Sequence, residues 1–365
     1  MKKILIVICT DFVSCGGLAT VMMNYYRFID KEYFQIDFAS TNVPDKRLLE
    51  ELEENGSVYY CLGKRKKNPY SYAYNLEQLL KAKRYDVIHV NGNSATMAIE
   101  LLAARKVGIP VRIAHVHTTQ SGYELLHKVL WGMFRKSYTK ALACSKQAGE
   151  WLFQGSEYQV LNNAIDTERF SFYPDIRNNY REALNLKNKF VVGTIGKMYA
   201  PKNHSFLVKV FFEIWKMRKD AVLLLVGDGE LRGEIEGEVS FLGIENNVCM
   251  LGMRTDNAEL LQCMDIFLFP SIWEGLGLAL IEAQATGLLC YASANVPKEA
   301  GVTELVNFLE LDKGEKYWAD IIMKDYCPCD RTEACEKAKK QIQAHGYDIA
   351  AEVKKLMDIY NRRSQ

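Results

Sequence analysis

The sequence predicts an α/β protein built from two doubly wound, parallel-sheet domains. Three observations carry this. Short apolar runs alternate with helix-forming segments, the βαβ rhythm of a parallel sheet buried on both faces. The rhythm starts twice, at Lys3–Cys9 and again at Phe190–Ile195, on either side of a polar and aromatic stretch at 169–189. A length of 365 residues also suits two domains better than one. The expected division is 1–168 and 169–346, followed by a helical tail.

Composition narrows the class. Hydrophobic residues at 48% and charged residues at 25% describe an ordinary globular protein. No apolar run approaches about 18 residues, so no membrane span is expected. The apolar run after Met1 is short and lacks a small-residue cleavage site, so it reads as a first strand and not as a signal peptide. Ten scattered cysteines show no disulfide framework and fit a reducing cytoplasm. Cys327-Pro328-Cys329 with Cys335 lacks a paired Cys-x-x-Cys and nearby histidines, so no metal is expected there. The net charge of +1 hides an asymmetry, because residues 1–170 carry +5 and the remainder −4. A basic first half suits a phosphate-bearing acceptor or an anionic membrane face, although solvated lysines explain it equally well.

In order, Lys3–Cys9 is a buried strand, Thr10–Gly17 a loop, and Leu18–Ile29 an amphipathic helix. Gly16 and Gly17 precede that helix, where a backbone can approach a ligand or simply turn tightly. Phe34–Ala39 and Val58–Cys61 read as strands around a charged helix at 46–55. The basic run Lys64–Lys67 and the aromatic segment Pro69–Tyr72 suit a membrane interface, a phosphate, or a plain exposed loop. Asp86–Val90 is a short buried strand, and Asn91–Asn93 turns into a helix through Ala104. Val111–His117 is another strand, carrying Arg112, His115 and His117. Ligands bind at the carboxyl ends of strands in open α/β sheets, and alternation puts both histidines on one face. Ala141–Ser145 and Tyr158–Leu161 close the first domain, and Asn162–Asp166 turns out of it.

The second domain repeats the pattern. After Phe190–Ile195 comes a loop, Gly196–His204, with Lys197 and Lys202. A helix at 205–218, strands at 222–226 and 248–251, and a helix around 259–263 follow. The stretch Phe269–Gly287 then organises the domain: a strand end, a loop opened by Gly275 and Gly277, and a helix from about Leu278. Free backbone N–H groups and the positive dipole end at that helix start suit an anion such as a phosphate. Glu274 sits in the loop and Glu282 about one turn into the helix, tilted back toward the same mouth. Two carboxylates around an anion cradle suit a ligand bearing both phosphates and vicinal hydroxyls. A strand at 289–292 and a helical tail from Arg331 complete the chain.

Together these motifs resemble the retaining nucleotide-sugar enzymes of glycosyltransferase family 4. Glu274 and Glu282, separated by seven residues, match the family's carboxylate pair. Similar in kind and order are Gly16-Gly17, His115-Val-His117-Thr118, the Gly196-Lys197 to Lys202-Asn-His204 loop, Val226-Gly-Asp-Gly229 and Asn163-Ala-Ile-Asp166. Arg112–His117 and Pro297–Ala300 look most like the branch that builds exopolysaccharide and capsule. The resemblance implies the GT-B fold, two Rossmann-like domains facing a cleft, with helix 347–365 returning to the acceptor-binding first domain. It implies that Glu282 holds the donor's ribose diol. Glu274, with the backbone of Gly275, Leu276, Gly277 and Leu278, would meet the sugar and distal phosphate. Lys197, Lys202 and Gly196 would meet the diphosphate, Gly16 and Gly17 would cap it, and His117 or His115 would line the sugar site. Lys197 stands where many relatives carry arginine, and so lacks the bidentate fork.

The expected activity is retaining transfer of a hexose or N-acetylhexosamine from a nucleotide diphosphate sugar, UDP rather than GDP, to a lipid-diphosphate-linked glycan. No metal or other cofactor and no nucleic acid is expected, and the location would be cytoplasmic, peripheral to the inner membrane face. Three rivals share the fold class. A nicotinamide dehydrogenase needs glycine where Arg232 follows Gly227-Asp-Gly229. A periplasmic-type sugar-binding protein predicts an export signal. A nucleotide-sugar epimerase would bind the same donor and differ in its product.

Overall fold

The computed structural model describes residues 1–14, 16–327 and 330–361. They form two compact units, Met1–Ala164 with the helix from Ile349, and Ile165–Asp348. The chain thus crosses before the expected boundary at 168 and returns at 349, not 347. Ile165 bridges to Asp348, so the two ends of the second unit are pinned side by side.

In chain order the first unit contains β1 (Lys2–Ile8), α1 (Gly17–Phe28), β2 (Phe34–Ser40), α2 (Lys46–Glu54), β3 (Tyr59–Cys61), α3 (Pro69–Lys83), β4 (Val87–Gly92), α4 (Ala98–Val107), β5 (Val111–Val116), α5 (Glu124–Arg135), β6 (Lys140–Ala143), α6 (Lys146–Phe153) and β7 (Gln159–Val160). The second contains α7 (Pro174–Ala183), β8 (Phe190–Ile195), α8 (His204–Met217), β9 (Ala221–Val226), α9 (Arg232–Phe241), β10 (Val248–Met250), α10 (Asn257–Cys263), β11 (Ile266–Phe269), α11 (Leu278–Ala285), β12 (Leu289–Ser293), β13 (Val306–Leu309), α12 (Gly314–Asp325) and α13 (Arg331–Ala344). The chain then returns to the first unit as α14 (Ile349–Asn361).

The first sheet runs β3-β2-β1-β4-β5-β6-β7 and the second β10-β9-β8-β11-β12-β13, with every pairing parallel. Strand alternation feeds apolar clusters on both sheet faces. Phe190 and Val192 of β8 enter one, Val191 and Ile195 the other. In each sheet the strand order reverses at its centre, between β1 and β4 and between β8 and β11. Loops leaving those neighbouring strands diverge, and the crevice between them at the carboxyl ends is where open α/β sheets bind ligands. The sites below follow from that topology.

Five helices and one strand had no sequence assignment: α3, α5, α6, α9, α12 and β13. The polar stretch 169–189 is more than a connector, because α7 packs on α10. Its Arg177 and Arg181 both reach Asp265, whose Oδ2 also accepts the Val191 amide at 2.7 Å. The helical tail is broken at 345–348, where Gly346 takes φ +77°. Among the described residues no helix is long and apolar enough to cross a membrane.

Candidate active site

In the second unit the loops after β8 and β11 meet, as the central reversal requires. Lys202 Nζ donates to Glu274 Oε1 at 2.6 Å, and Ser271 Oγ donates to the same oxygen at 2.7 Å. Two backbone links hold the loops together: Ile272 N–H to Pro201 O at 2.8 Å, and Asn203 Nδ2 to Pro270 O at 3.2 Å. Asn203 itself sits at φ +56°, a left-handed position that asparagine tolerates, and caps α8. The Lys202 ammonium lies 4.7 Å from the Phe269 ring centroid, so β11 supports it from below. One carboxylate oxygen of Glu274 is therefore spent on fixing the group. Its Oε2 accepts no hydrogen bond among the described residues.

Gly277 begins α11 at φ +95°, a region that L side chains avoid, and an added Cβ would lie 3.1 Å from Phe269 Cε1. No side chain caps this helix start, so the turn from Gly275 through Leu276 and Gly277 to Leu278 leads into unoccupied backbone donors. Glu282 is half-buried in the first turns of α11 and accepts no hydrogen bond among the described residues. Burial pushes its carboxyl up to about 7, against the pull of Arg169 and then Lys202. Gly196 lies beside Lys202, whose Cε would be 3.5 Å from an added Cβ. Lys197 is exposed, 5.8 Å from the Tyr199 ring centroid, and has no acidic partner among the described residues. Glu274, Glu282, Lys202, Gly196 and the α11 start thus converge, with Lys197 beside them.

The Gly227-Asp-Gly229 turn is explained by backbone packing. An added Cβ on Gly227 would fall 2.0 Å from Gly196 O, and one on Gly229 2.2 Å from Met198 O. These glycines exist so that one loop backbone can lie on another, which shapes the Lys197 loop.

In the first unit, Gly16 N–H donates to Val13 O at 2.9 Å and caps α1 without a side chain. An added Cβ on Gly16 would press on Val13, whereas one on Gly17 would meet nothing within 4 Å. Packing inside this unit therefore gives no reason for glycine at 17.

The histidines require a correction. His115 is 0% exposed, so it lines no open surface. It belongs to a buried chain in which Tyr360 Oη meets His89 Nδ1 at 2.7 Å and His89 Nε2 meets His115 Nδ1 at 3.1 Å. The His115 and His117 rings lie 4.0 Å apart on one face, as alternation requires. His117 is partly exposed, but its Nε2 meets Asn91 Oδ1 at 3.0 Å, and its Nδ1 is buried with no hydrogen-bond partner among the described residues. Burial holds it down to about 4, with Asn163 pulling the other way. It is held neutral, with Nε2 engaged by Asn91 and Nδ1 sealed from solvent. Sequence reasoning missed Ser271, Asn203, Arg169, Asn91 and His89, since each acts through a partner distant in sequence. Asn203, placed just before a helix, carried the one readable signal.

The segment from Cys327 lies partly outside the described residues, at 328 and 329. Among the described residues no group of three or more His, Cys, Asp or Glu is placed to hold a metal ion.

Comparison with known proteins decides the family. Residues 15–169 match the family model for Glycosyltransferase Family 4, and residues 176–306 that for Glycosyl transferases group 1. EpsF of Bacillus subtilis (strain 168), named as a glycosyltransferase, is 31% identical over 362 residues, 95% of this chain and 93% of its own. The chain belongs to glycosyltransferase family 4. A second relative, the UDP-Gal:alpha-D-GlcNAc-diphosphoundecaprenol alpha-1,3-galactosyltransferase of Escherichia coli, is 30% identical over 235 residues, 60% of each chain. Among solved structures, Anabaena HepE in complex with UDP and glucose has a TM-score of 0.76 across 98% of this chain and 99% of its own, at 18% identity. That likeness is one of fold, and with the two parallel sheets it gives the GT-B architecture. This family 4 enzyme is a glycosyltransferase.

Proposed function

We propose that the enzyme moves a hexose or N-acetylhexosamine from a UDP-sugar to a lipid-diphosphate-linked glycan in exopolysaccharide or capsule synthesis, with retention of configuration. The observation that carries this is the fixed Lys202–Glu274 pair beside the uncapped start of α11, with unpartnered Glu282 behind it. An ammonium has three N–H donors, and Lys202 spends one on Glu274, leaving two for phosphate oxygens. Glycosyl transfer passes through an oxocarbenium-like state while negative charge gathers on the leaving diphosphate. Lys202, exposed Lys197 and the α11 N–H groups are preorganised positive charge for that diphosphate. The free Glu274 Oε2 is the acceptor for a sugar hydroxyl, and Glu282 the acceptor for the ribose diol. Retention fits same-face attack assisted by the departing phosphate, and no covalent nucleophile is assigned. In the first unit, Gly17 is carried as a diphosphate contact and His117 as a neutral sugar-side wall. The UDP and lipid-linked elements draw on what the E. coli relative's name states for that protein.

The test is a calorimetric panel of UDP- and GDP-sugars, followed by transfer assays with a lipid-diphosphate acceptor, with and without EDTA. Binding of one UDP-sugar and acceptor-dependent transfer insensitive to EDTA, with the donor's anomeric configuration retained in the product by NMR, is the expected result. A GDP-sugar preference, inversion, or loss of transfer in EDTA removes the corresponding part of the proposal. An epimerised sugar formed without acceptor replaces it.

A further inference from the structure

The sheet face of β4 and β5 that meets Tyr360 of α14 is not apolar. Asn91 of β4 pairs with His115 of β5, so His89, Asn91 and His115 share that face, with His117 one step beyond the strand. His89, Asn91, His115 and Tyr360 are fully buried. Imidazoles in a sheet core carry a desolvation cost that apolar side chains would avoid, and His115 Nε2 has no hydrogen-bond partner among the described residues. Stability alone therefore does not account for this row, which ends at the residue assigned to the sugar side.

Burial leaves one consistent set of donors and acceptors along the row. Tyr360 Oη has a single hydrogen-bond partner among the described residues, His89 Nδ1 at 2.7 Å. A buried hydroxyl that only accepted there would leave its own proton unpaired, so Tyr360 donates and His89 Nδ1 accepts. A neutral imidazole then carries its proton on the other nitrogen, and burial holds His89 down to about 3. His89 Nε2–H therefore donates to His115 Nδ1 at 3.1 Å. His115, which burial also keeps neutral, carries its proton on Nε2. His117 is fixed from the other side. Asn91 Nδ2 donates to His89 O at 3.1 Å, which turns Asn91 Oδ1 toward His117 Nε2 at 3.0 Å. That nitrogen is the donor, and His117 Nδ1 holds a lone pair. The His115 and His117 rings touch, their centroids 4.0 Å apart. A proton on His115 Nε2 and a lone pair on His117 Nδ1 are complementary within that contact. The reverse order of protons along the row would put lone pairs on both.

We infer that Tyr360 is a positioning residue for His117, acting through a one-way chain of hydrogen bonds from α14 to the sugar side. Its hydroxyl sets the direction of the chain, and His115 then offers a proton and not a lone pair to the His117 ring. That ring rests neutral in the orientation Asn91 gives it. Tyr360 and His89 are sealed and reach no ligand themselves. The inference deepens the proposed function and rests on its placing of His117 beside the sugar. Tyr360→Phe removes the one group that distinguishes the two proton orders, since the His89–His115 bond survives reversal of both rings. The chain then holds a mixture of the two orders, and in one of them two lone pairs share the ring contact and displace His117.

The test is NMR of the full chain labelled at the ring nitrogens of its six histidines, joined to transfer kinetics. Tyr360→Phe is compared with Leu356→Ala, which loosens the buried side of α14 and keeps the hydroxyl. Each variant is assayed below its melting midpoint. The wild type should show His89 and His115 unprotonated at Nδ1 and protonated at Nε2. Tyr360→Phe should move the two ring nitrogens of each toward an average. It should also lower kcat about tenfold, within the range that a displaced site group produces, with UDP affinity unchanged. Leu356→Ala should keep the wild-type ring signals and kcat. A protonated Nδ1 in wild-type His89 or His115, unaltered ring signals or kcat in Tyr360→Phe, or an equal kcat loss in Leu356→Ala would each overturn the inference. The ring signals are read without donor, so a failed donor panel removes the sugar-side role of His117 and leaves the order of hydrogen bonds standing.

Discussion

At the scale of single residues, Glu282 sets a conflict between stability and binding. Its carboxyl titrates near 7 in the folded chain because burial disfavours the charge, whereas an unfolded glutamate titrates near about 4.3. The folded state therefore holds the proton more tightly, and stability declines as pH rises from the unfolded value through about 7. Glu282→Gln should raise Tm by a few degrees at pH 8 and change it little near pH 4.5, while weakening UDP-sugar binding several-fold. A melt series against pH, paired with calorimetry, checks both signs; an unchanged donor affinity would undo the ribose assignment. In the wild type, donor affinity should improve between pH 6 and pH 8 as the carboxylate forms. Lys202→Ala removes one preorganised cation and should lower kcat on the order of a hundredfold, with a smaller change in donor affinity. Equal loss in both would make Lys202 a ground-state contact. The carboxylate and lysine positions could be picked out in the sequence by their place in the glycine loops, and the family resemblance supplied the roles proposed for them. Their mutual bond was not, since it joins loops 72 residues apart.

At the scale of elements, the start of α11 is the feature on which the donor proposal depends. Gly277 at φ +95° aims the first N–H groups of the helix, and Phe269 fills the space a Cβ would take. Gly277→Ala should cost about 1–2 kcal/mol of stability and weaken binding of UDP alone, read by denaturant unfolding and calorimetry. Full UDP affinity in a destabilised variant would separate the helix start from the phosphate. The strand–loop–helix order here was legible because glycines interrupt two apolar segments of different period. Helix α5 was not, because Leu125, Leu126, Val129 and Met133 are exposed while Leu130, Trp131 and Phe134 face the core, so its apolar residues follow no single buried face. The stretch at 169–189 was legible as a basic helix, but its anchoring was not, because Arg177 and Arg181 meet an Asp265 more than eighty residues on.

At the scale of the whole molecule, the last helix belongs to the first sheet. Lys2 Nζ caps its final carbonyls at Tyr360 and Asn361, at 2.9 and 2.8 Å, and Lys140 Nζ reaches Ile359 O at 2.8 Å. Cations at a helix C-terminus are favoured by the dipole. Tyr360 also closes the buried histidine chain through His89. Tyr360→Phe leaves His89 Nδ1 without its partner and should destabilise the protein by about 1–3 kcal/mol, measured by denaturant unfolding of the full chain. No change in midpoint would show that the Tyr360–His89 hydrogen bond adds nothing to the hold on α14.

Local rules sufficed for much of this protein. Alternating apolar runs dictated two parallel sheets, and glycines at strand ends marked the loops that leave them, because period and backbone freedom are properties of short segments. Glu274, Glu282, Lys197 and Lys202 stood out in or just beyond those loops, and the family resemblance supplied their proposed roles. Only the tertiary structure decided that Lys202 and Glu274 hold each other, that His115 is sealed while His117 is a neutral wall, and that Arg65 leaves its basic run for Glu100. Those outcomes depend on burial and on partners far along the chain. Sheet order, which places distant loops side by side at its central reversal, sets both.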